Sequence, residues 1–182
     1  SGNVSARAVQ SDQMAITPSA MTYDSIKPED IVGIDFHGQK LWGRRKPSSE
    51  WALHLLFYKH REDVGAVIHT HSPYATAAAV LGEEIPMILA ESVAIIGGSV
   101  PVAPYVTFGT IELAEAAVKA CGTRNAVLLA NHGVVAIGKD LEAALQCALA
   151  VEETAKIYLI SKSAGTPNKI PDTQLPAIFQ AF

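Results

Sequence analysis

Cysteine is nearly absent: Cys121 and Cys147 are the two in 182 residues. Two such residues cannot staple a small secreted scaffold, so a reducing, cytoplasmic setting is the expectation. Both fall in helix-like segments and read as small buried side chains. Long apolar runs are missing too. Ile85–Ala90 and Ala126–Ala130 fall far short of the roughly 18–20 residues a membrane span needs, and they read as buried strands. No basic block occurs, and 14 Lys and Arg against 18 Asp and Glu leave a net charge of −4, which argues against a nucleic-acid partner. Charged residues make up only 18% and hydrophobic ones 49%, too apolar a balance for a disordered chain.

What is present is enough for one domain over residues 1–182, burying roughly 70% of the surface its unfolded chain exposes. The first residues show no secretory leader. Ser1 to Ser5 read as a loop running into a strand, so a chain cut at its N-terminus, with a further element before it, is expected.

Met14–Ile16 reads as a strand closed by Thr17-Pro18-Ser19, and Tyr23–Lys27 as a helical turn. Asp30–Phe36 and Lys40–Trp42 form a hairpin pattern around His37-Gly38. Lys46-Pro47-Ser48-Ser49-Glu50 opens a helix carrying Trp51, Ala52, Leu55 and Tyr58 at helical spacing. Ala66–His71 is a strand, and Ser72-Pro73 starts a helix over Tyr74–Leu81. Strands are expected at Ile85–Leu89 and Val100–Val102, either side of Gly97-Gly98. A helix follows over Ile111–Cys121 after Gly109-Thr110. Asn125–Ala130 and Gly133–Ile137 are strands broken at Asn131-His132, and Asp140 caps a long helix over Leu141–Lys162. The tail after Ala164, with three prolines, reads as a loop with a short terminal helix. This mixture predicts a layered α/β arrangement.

His69-Thr70-His71 carries the strongest chemical signal. Side chains alternate along a strand, so His69 and His71 share a face and can hold one metal ion between them. A third ligand is open among His37, His54, His60 and His132. His37 sits in a hairpin turn, and His54 and His60 occupy helix positions where a solvated or capping imidazole is the plain reading. His132 interrupts a strongly apolar stretch, Val127–Leu129 and Val134–Val135, where a polar break is costly unless partnered. His132 is therefore preferred, and three histidines would leave a coordination position open for substrate. Glu50, in the first turn of its helix, is either an ordinary first-turn carboxylate, a general base beside the metal, or a ligand that substrate displaces. Ser48-Ser49 at the same helix start, Gly2-Asn3 and Thr17-Pro18-Ser19 are small polar loops of a kind that can bind an anion.

Taken in order, Ser-Gly-Asn, Thr-Pro-Ser, Lys-Pro-Ser-Ser-Glu-Trp, His-Thr-His, Ala-Pro-Tyr-Val-Thr-Phe-Gly-Thr and Asn-His-Gly resemble the pattern of the class II aldolase/adducin family over Ser1 to about Ser163. The resemblance implies a three-layer α/β/α fold around a mixed, largely antiparallel sheet. It implies a Zn2+ site at His69, His71 and His132, with manganese or cobalt also acceptable to such ligands. Glu50 would be the acid/base carboxylate, and Gly2, Asn3, Ser19, Ser48 and Ser49 the phosphate pocket. The implied reaction is metal-dependent cleavage of a ketose 1-phosphate, such as L-fuculose 1-phosphate, to dihydroxyacetone phosphate and an aldehyde. A homotetramer with its sites at subunit interfaces is implied as well.

This chain departs from the family's aldolase pattern at two places: Ser19-Ala20 stands where that pattern has Thr-Gly, and Ala90, followed by Glu91, where it has a tyrosine. A sugar-phosphate dehydratase, epimerase or decarboxylase of the same superfamily is the alternative, although the epimerases place an aspartate at the position of Glu50. A non-catalytic adducin-like module would be expected to lack the histidines.

Overall fold

The computed structural model describes residues 2–8 and 11–181; Ser1, the first residue of the Ser-Gly-Asn motif, lies outside them. Eight strands form one sheet: β1 (Gly2–Arg7), β2 (Gln13–Ile16), β3 (Val32–Asp35), β4 (Lys40–Trp42), β5 (Ala66–Thr70), β6 (Val102–Ala103), β7 (Ala126–Leu129) and β8 (Gly133–Gly138). Their order is β4-β3-β2-β1-β5-β8-β7-β6. Every pairing is antiparallel except β6 with β7. The helices are α1 (Trp51–His60), α2 (Pro73–Leu81), α3 (Ala90–Ile96), α4 (Ile111–Cys121), α5 (Leu141–Ala164) and α6 (Leu175–Ala181).

Alternation along the central strands builds two cores. Val67, Val127, Leu129, Val135 and Ile137 face one side, where they pack with Leu53 and Phe57 of α1 and Leu113 and Ala117 of α4. Ala66, Ile68, Ala126, Leu128, Val134 and Ala136 face the other, against α2, α3 and α5. Strands buried on both faces read as continuous apolar runs. The result is the expected α/β/α layering around a mixed, largely antiparallel sheet.

The segment from residue 85 to 96 differs from the sequence reading. Ile85 makes a single bridge to Val100, with N–H···O bonds of 3.1 and 2.9 Å, and no strand continues from it. Pro86 has no N–H to extend a ladder. The chain instead turns into α3, which ends at Gly97 with φ +88°. The Val93/Ile96 spacing followed by glycine is the helix signal that the apolar run concealed. Pro101 likewise displaces the next strand to Val102–Ala103. The cysteines are buried and unpaired, as expected.

Ala20 holds φ +59° in the loop after β2. A Cβ in this left-handed region is unfavourable, and glycine carries none. Ala20→Gly is therefore expected to raise stability by about 1 kcal/mol, read as a higher urea midpoint with an unchanged m-value.

Candidate active site

The site forms where β1, β5, the β7–β8 turn and the start of α1 meet. Asn3 pairs with His69 across β1 and β5, so both side chains emerge on the α1 side of the sheet. His71 follows the end of β5, and His132 lies in the β7–β8 turn beside Asn131, whose φ is +57°. The three rings stand edge to face, with centroids 4.9, 4.8 and 4.9 Å apart. Gly2 makes the crossing possible: at φ +124°, a Cβ there would run into the carbonyl of His69.

Of the three readings left open for Glu50, the ordinary first-turn carboxylate is the one the geometry sets aside. Glu50 is the residue before α1, with φ −100° and ψ 20°, and its side chain caps no helical N–H. Its own N–H donates to Ser48 Oγ at 3.2 Å. The carboxylate turns inward, with Oε1 3.3 Å from His132 Nε2 and Oε2 3.4 Å from His69 Nε2. Asn3 Nδ2 donates to Oε2 at 2.9 Å.

These four residues fit a divalent cation. One ligand atom from each of Glu50, His69, His71 and His132 lies within 4.8 Å of all the others. His69 Nδ1 donates to Val134 O at 2.9 Å, which fixes the tautomer and leaves the Nε2 lone pair free to ligate. That Nε2 sits 3.0 Å from His71 Nε2. Burial lowers the His69 pKa to about 4 despite the pull of Glu50, and burial and then His132 lower that of His71. Imidazoles held neutral are the ligating form. Glu50 Oε1 is buried with no hydrogen-bond donor, as an acceptor awaiting a cation or a proton would be.

Gly2, Asn3, Ser19, Ser48, Ser49 and Glu50 line one open cleft of about 620 Å3. Ser19 N–H donates to Lys46 O at 3.0 Å and Ser48 N–H to Thr17 O at 3.1 Å, so the two serine loops are tied together. All five residues expected at a phosphate pocket thus line one cleft, whose wall Glu50 shares with the histidine cluster. His37 and His60 are exposed, as read. His54 is not: it is fully buried between β1 and α1. The solvated or capping role is corrected for that residue, because four residues of helix after Glu50 bring it back to the same inward side.

Burial also takes His54 to about 3. In the unfolded chain His54 and His69 titrate near 6.5. Below that value the unfolded chain binds protons that the folded one refuses, so stability is full above pH 6.5 and falls with added acid toward pH 4. The slope is about 1.4 kcal/mol per pH unit for each imidazole. The urea midpoint of the metal-free protein is expected to drop steeply between pH 6.5 and 5.

Three converging imidazoles and a carboxylate, set on a layered α/β sheet beside a serine-lined cleft, make a group that could hold a metal ion at the edge of an open cavity. The family model described as "Class II Aldolase and Adducin N-terminal domain" matches residues 1–159. A 5-deoxy-D-ribulose 1-phosphate aldolase of Bacillus thuringiensis serovar kurstaki is 42% identical over 181 residues, covering 100% of this chain and 84% of its own length. The L-fuculose phosphate aldolase of Escherichia coli K12 is 39% identical over 182 residues, covering 100% and 83%. A solved L-fuculose 1-phosphate aldolase superposes with a TM-score of 0.96 at 43% identity, covering 100% of this chain and 85% of the other. The chain belongs to the class II aldolase and adducin family.

Proposed function

We propose that residues 1–182 act as one class II aldolase-like domain, a zinc-dependent aldehyde-lyase that cleaves a ketose 1-phosphate into dihydroxyacetone phosphate and an aldehyde. The observation that carries this reading is the placement of the Glu50 carboxylate, within 3.4 Å of two imidazoles and at the wall of the serine cleft. The two named aldolase relatives act on phosphorylated sugars of this class, L-fuculose phosphate and 5-deoxyribulose 1-phosphate by their names.

His69, His71 and His132 hold the cation, which when bound supplies Lewis acidity at the substrate carbonyl. Ser19, Ser48, Ser49, Asn3 and the Gly2 backbone hold the phosphate, so the reacting carbons arrive already oriented. The second hydrogen on Asn3 Nδ2 remains for the substrate side, since one is spent on Glu50. Cleavage breaks C3–C4, and one proton leaves the C4 hydroxyl while C3 gains one. Glu50 moves the proton at C3, from the oxygen that no protein donor occupies.

The exposed Tyr105, Phe108 and Ile111 support a homotetramer with the site at a subunit interface. Phe108 is 67% exposed with its ring 6.5 Å from His132, an apolar rim that a second subunit would cover. Two free buried cysteines support a cytoplasmic setting.

The test is metal content together with dihydroxyacetone phosphate release from a panel of ketose 1-phosphates, with His69→Ala alongside. Zinc-dependent release that the variant loses is the expected result. Bound metal without release from any substrate would shift the reading to a dehydratase, epimerase or decarboxylase. Absence of metal binding would leave an adducin-like module.

A further inference from the structure

The steps of helix and strand match where α1 crosses β1. Four helical residues rise about 6 Å, and two strand residues about 6.6 Å. Glu50, His54 and Tyr58 therefore recur on one side of α1 at the spacing of Asn3 and Ser5 on β1. The five polar side chains interlock in a zigzag. Asn3 lies between Glu50 and His54: its Nδ2 reaches Glu50 Oε2 at 2.9 Å, and its Oδ1 meets His54 Nε2. Ser5 lies between His54 and Tyr58, its Oγ 2.7 Å from His54 Nδ1 and 2.7 Å from the Tyr58 hydroxyl. No member is more than 8% exposed. Polar groups in a core are costly unless partnered, and here every member has a partner in the chain, with Glu50 Oε1 alone left open.

The direction of every link follows from one end. The Glu50 carboxylate only accepts, so Asn3 must present its NH2 to it. Asn3 Oδ1 then faces His54 and only accepts, so His54 Nε2 carries the proton. A neutral imidazole has one N–H, so its Nδ1 accepts and Ser5 donates to it. The single Ser5 hydrogen is now spent, and the Tyr58 hydroxyl donates to Ser5. Burial agrees at His54 and Tyr58, keeping His54 neutral and pushing the Tyr58 hydroxyl pKa up.

We propose that His54 is a positioning residue for the reaction of this site: through Asn3 it fixes which Glu50 oxygen is tethered and which is free to move a proton. Without that anchor on Oδ1 the Asn3 amide would be free to swing its NH2 from Oε2 to Oε1, and neither Glu50 oxygen would be reserved for the proton. The effect on turnover rests on the aldolase reading; the orientation of the chain does not.

Two measurements separate these. Nitrogen NMR of the ring-labelled wild-type protein is expected to show His54 protonated at Nε2 and bare at Nδ1, unchanged from pH 8 to 5.5. The opposite tautomer, or an imidazolium in that range, would overturn the proposal. His54→Leu is expected to lower kcat by roughly 10–100-fold, as loss of an outer-shell partner does, with KM and zinc content unchanged. His54→Gln keeps a donor for Asn3 Oδ1 and is expected to recover most of that loss. Equal losses in both variants, tracking a common fall in Tm, would reduce His54 to a structural part and overturn the proposal. Wild-type protein that releases no triose phosphate would sink the aldolase reading, while the tautomer would still decide the chain.

Discussion

Glu50→Gln is expected to lower kcat by about 10²–10⁴-fold, the usual contribution of a positioned proton-transfer group, or about 3–5 kcal/mol of barrier. The glutamine fills the same space, and its carbonyl oxygen can still accept from Asn3 Nδ2, now 2.9 Å from Glu50 Oε2. The other terminal atom becomes an amide nitrogen, which can neither take up nor return a proton at the position of Oε1. Zinc content is expected to stay at the wild-type level, because His69, His71 and His132 remain. Solvent-deuterium exchange at C3 of dihydroxyacetone phosphate isolates this step from carbon–carbon cleavage, and the variant is expected to lose it. If metal content falls together with activity, Glu50 is a ligand and not the proton carrier. If exchange survives, Glu50 carries no proton at all.

The two outcomes for Glu50 show how far the sequence reached. His69 and His71 were legible as a pair because strand alternation alone puts them on one face. His132 was legible as a polar break in an apolar stretch. The distance between Glu50 and these histidines was not, since it depends on β1 pairing with β5 and on α1 crossing that face. The same limit hid His54. Tyr58 reads with the apolar spacing of α1, and an imidazole four residues before it reads as solvated or capping until a strand with Asn3 and Ser5 is known to lie against it. Local signals placed α4 at both ends: Thr110 caps it by accepting from Leu113 N–H at 3.2 Å, and Gly122 follows it. They failed at α3, where an apolar run containing Pro86 imitates a buried strand.

Gly133→Ala is expected to damage the site although it adds one methyl group and removes no ligand. Gly133 opens β8 immediately after His132 and pairs with Leu129. A Cβ built there would overlap the carbonyl oxygen of Thr70 and stand 2.9 Å from His71 Cδ2 and 3.3 Å from His69 Cε1. The Thr70 carbonyl cannot swing aside, because β5 is hydrogen-bonded to β1 on one edge and β8 on the other. Relief must come from the turn that carries His132 and from rotation of the other two imidazoles, so all three ligands move for the sake of one methyl group. Overpacking of this kind costs about 1–3 kcal/mol of stability. Zinc affinity is expected to fall by at least roughly 10–100-fold, the loss that follows when ligand orientation is disturbed without removing a ligand. Gly165→Ala is the matched control, with nothing within 4 Å of its Cβ, and is expected to change neither quantity. Competitive zinc titration of both variants against a chelator, with urea unfolding of the metal-free proteins, reads the two effects separately. Wild-type zinc affinity in Gly133→Ala would show that the histidines are not held by this contact, and that the β7–β8 turn is looser than its geometry implies.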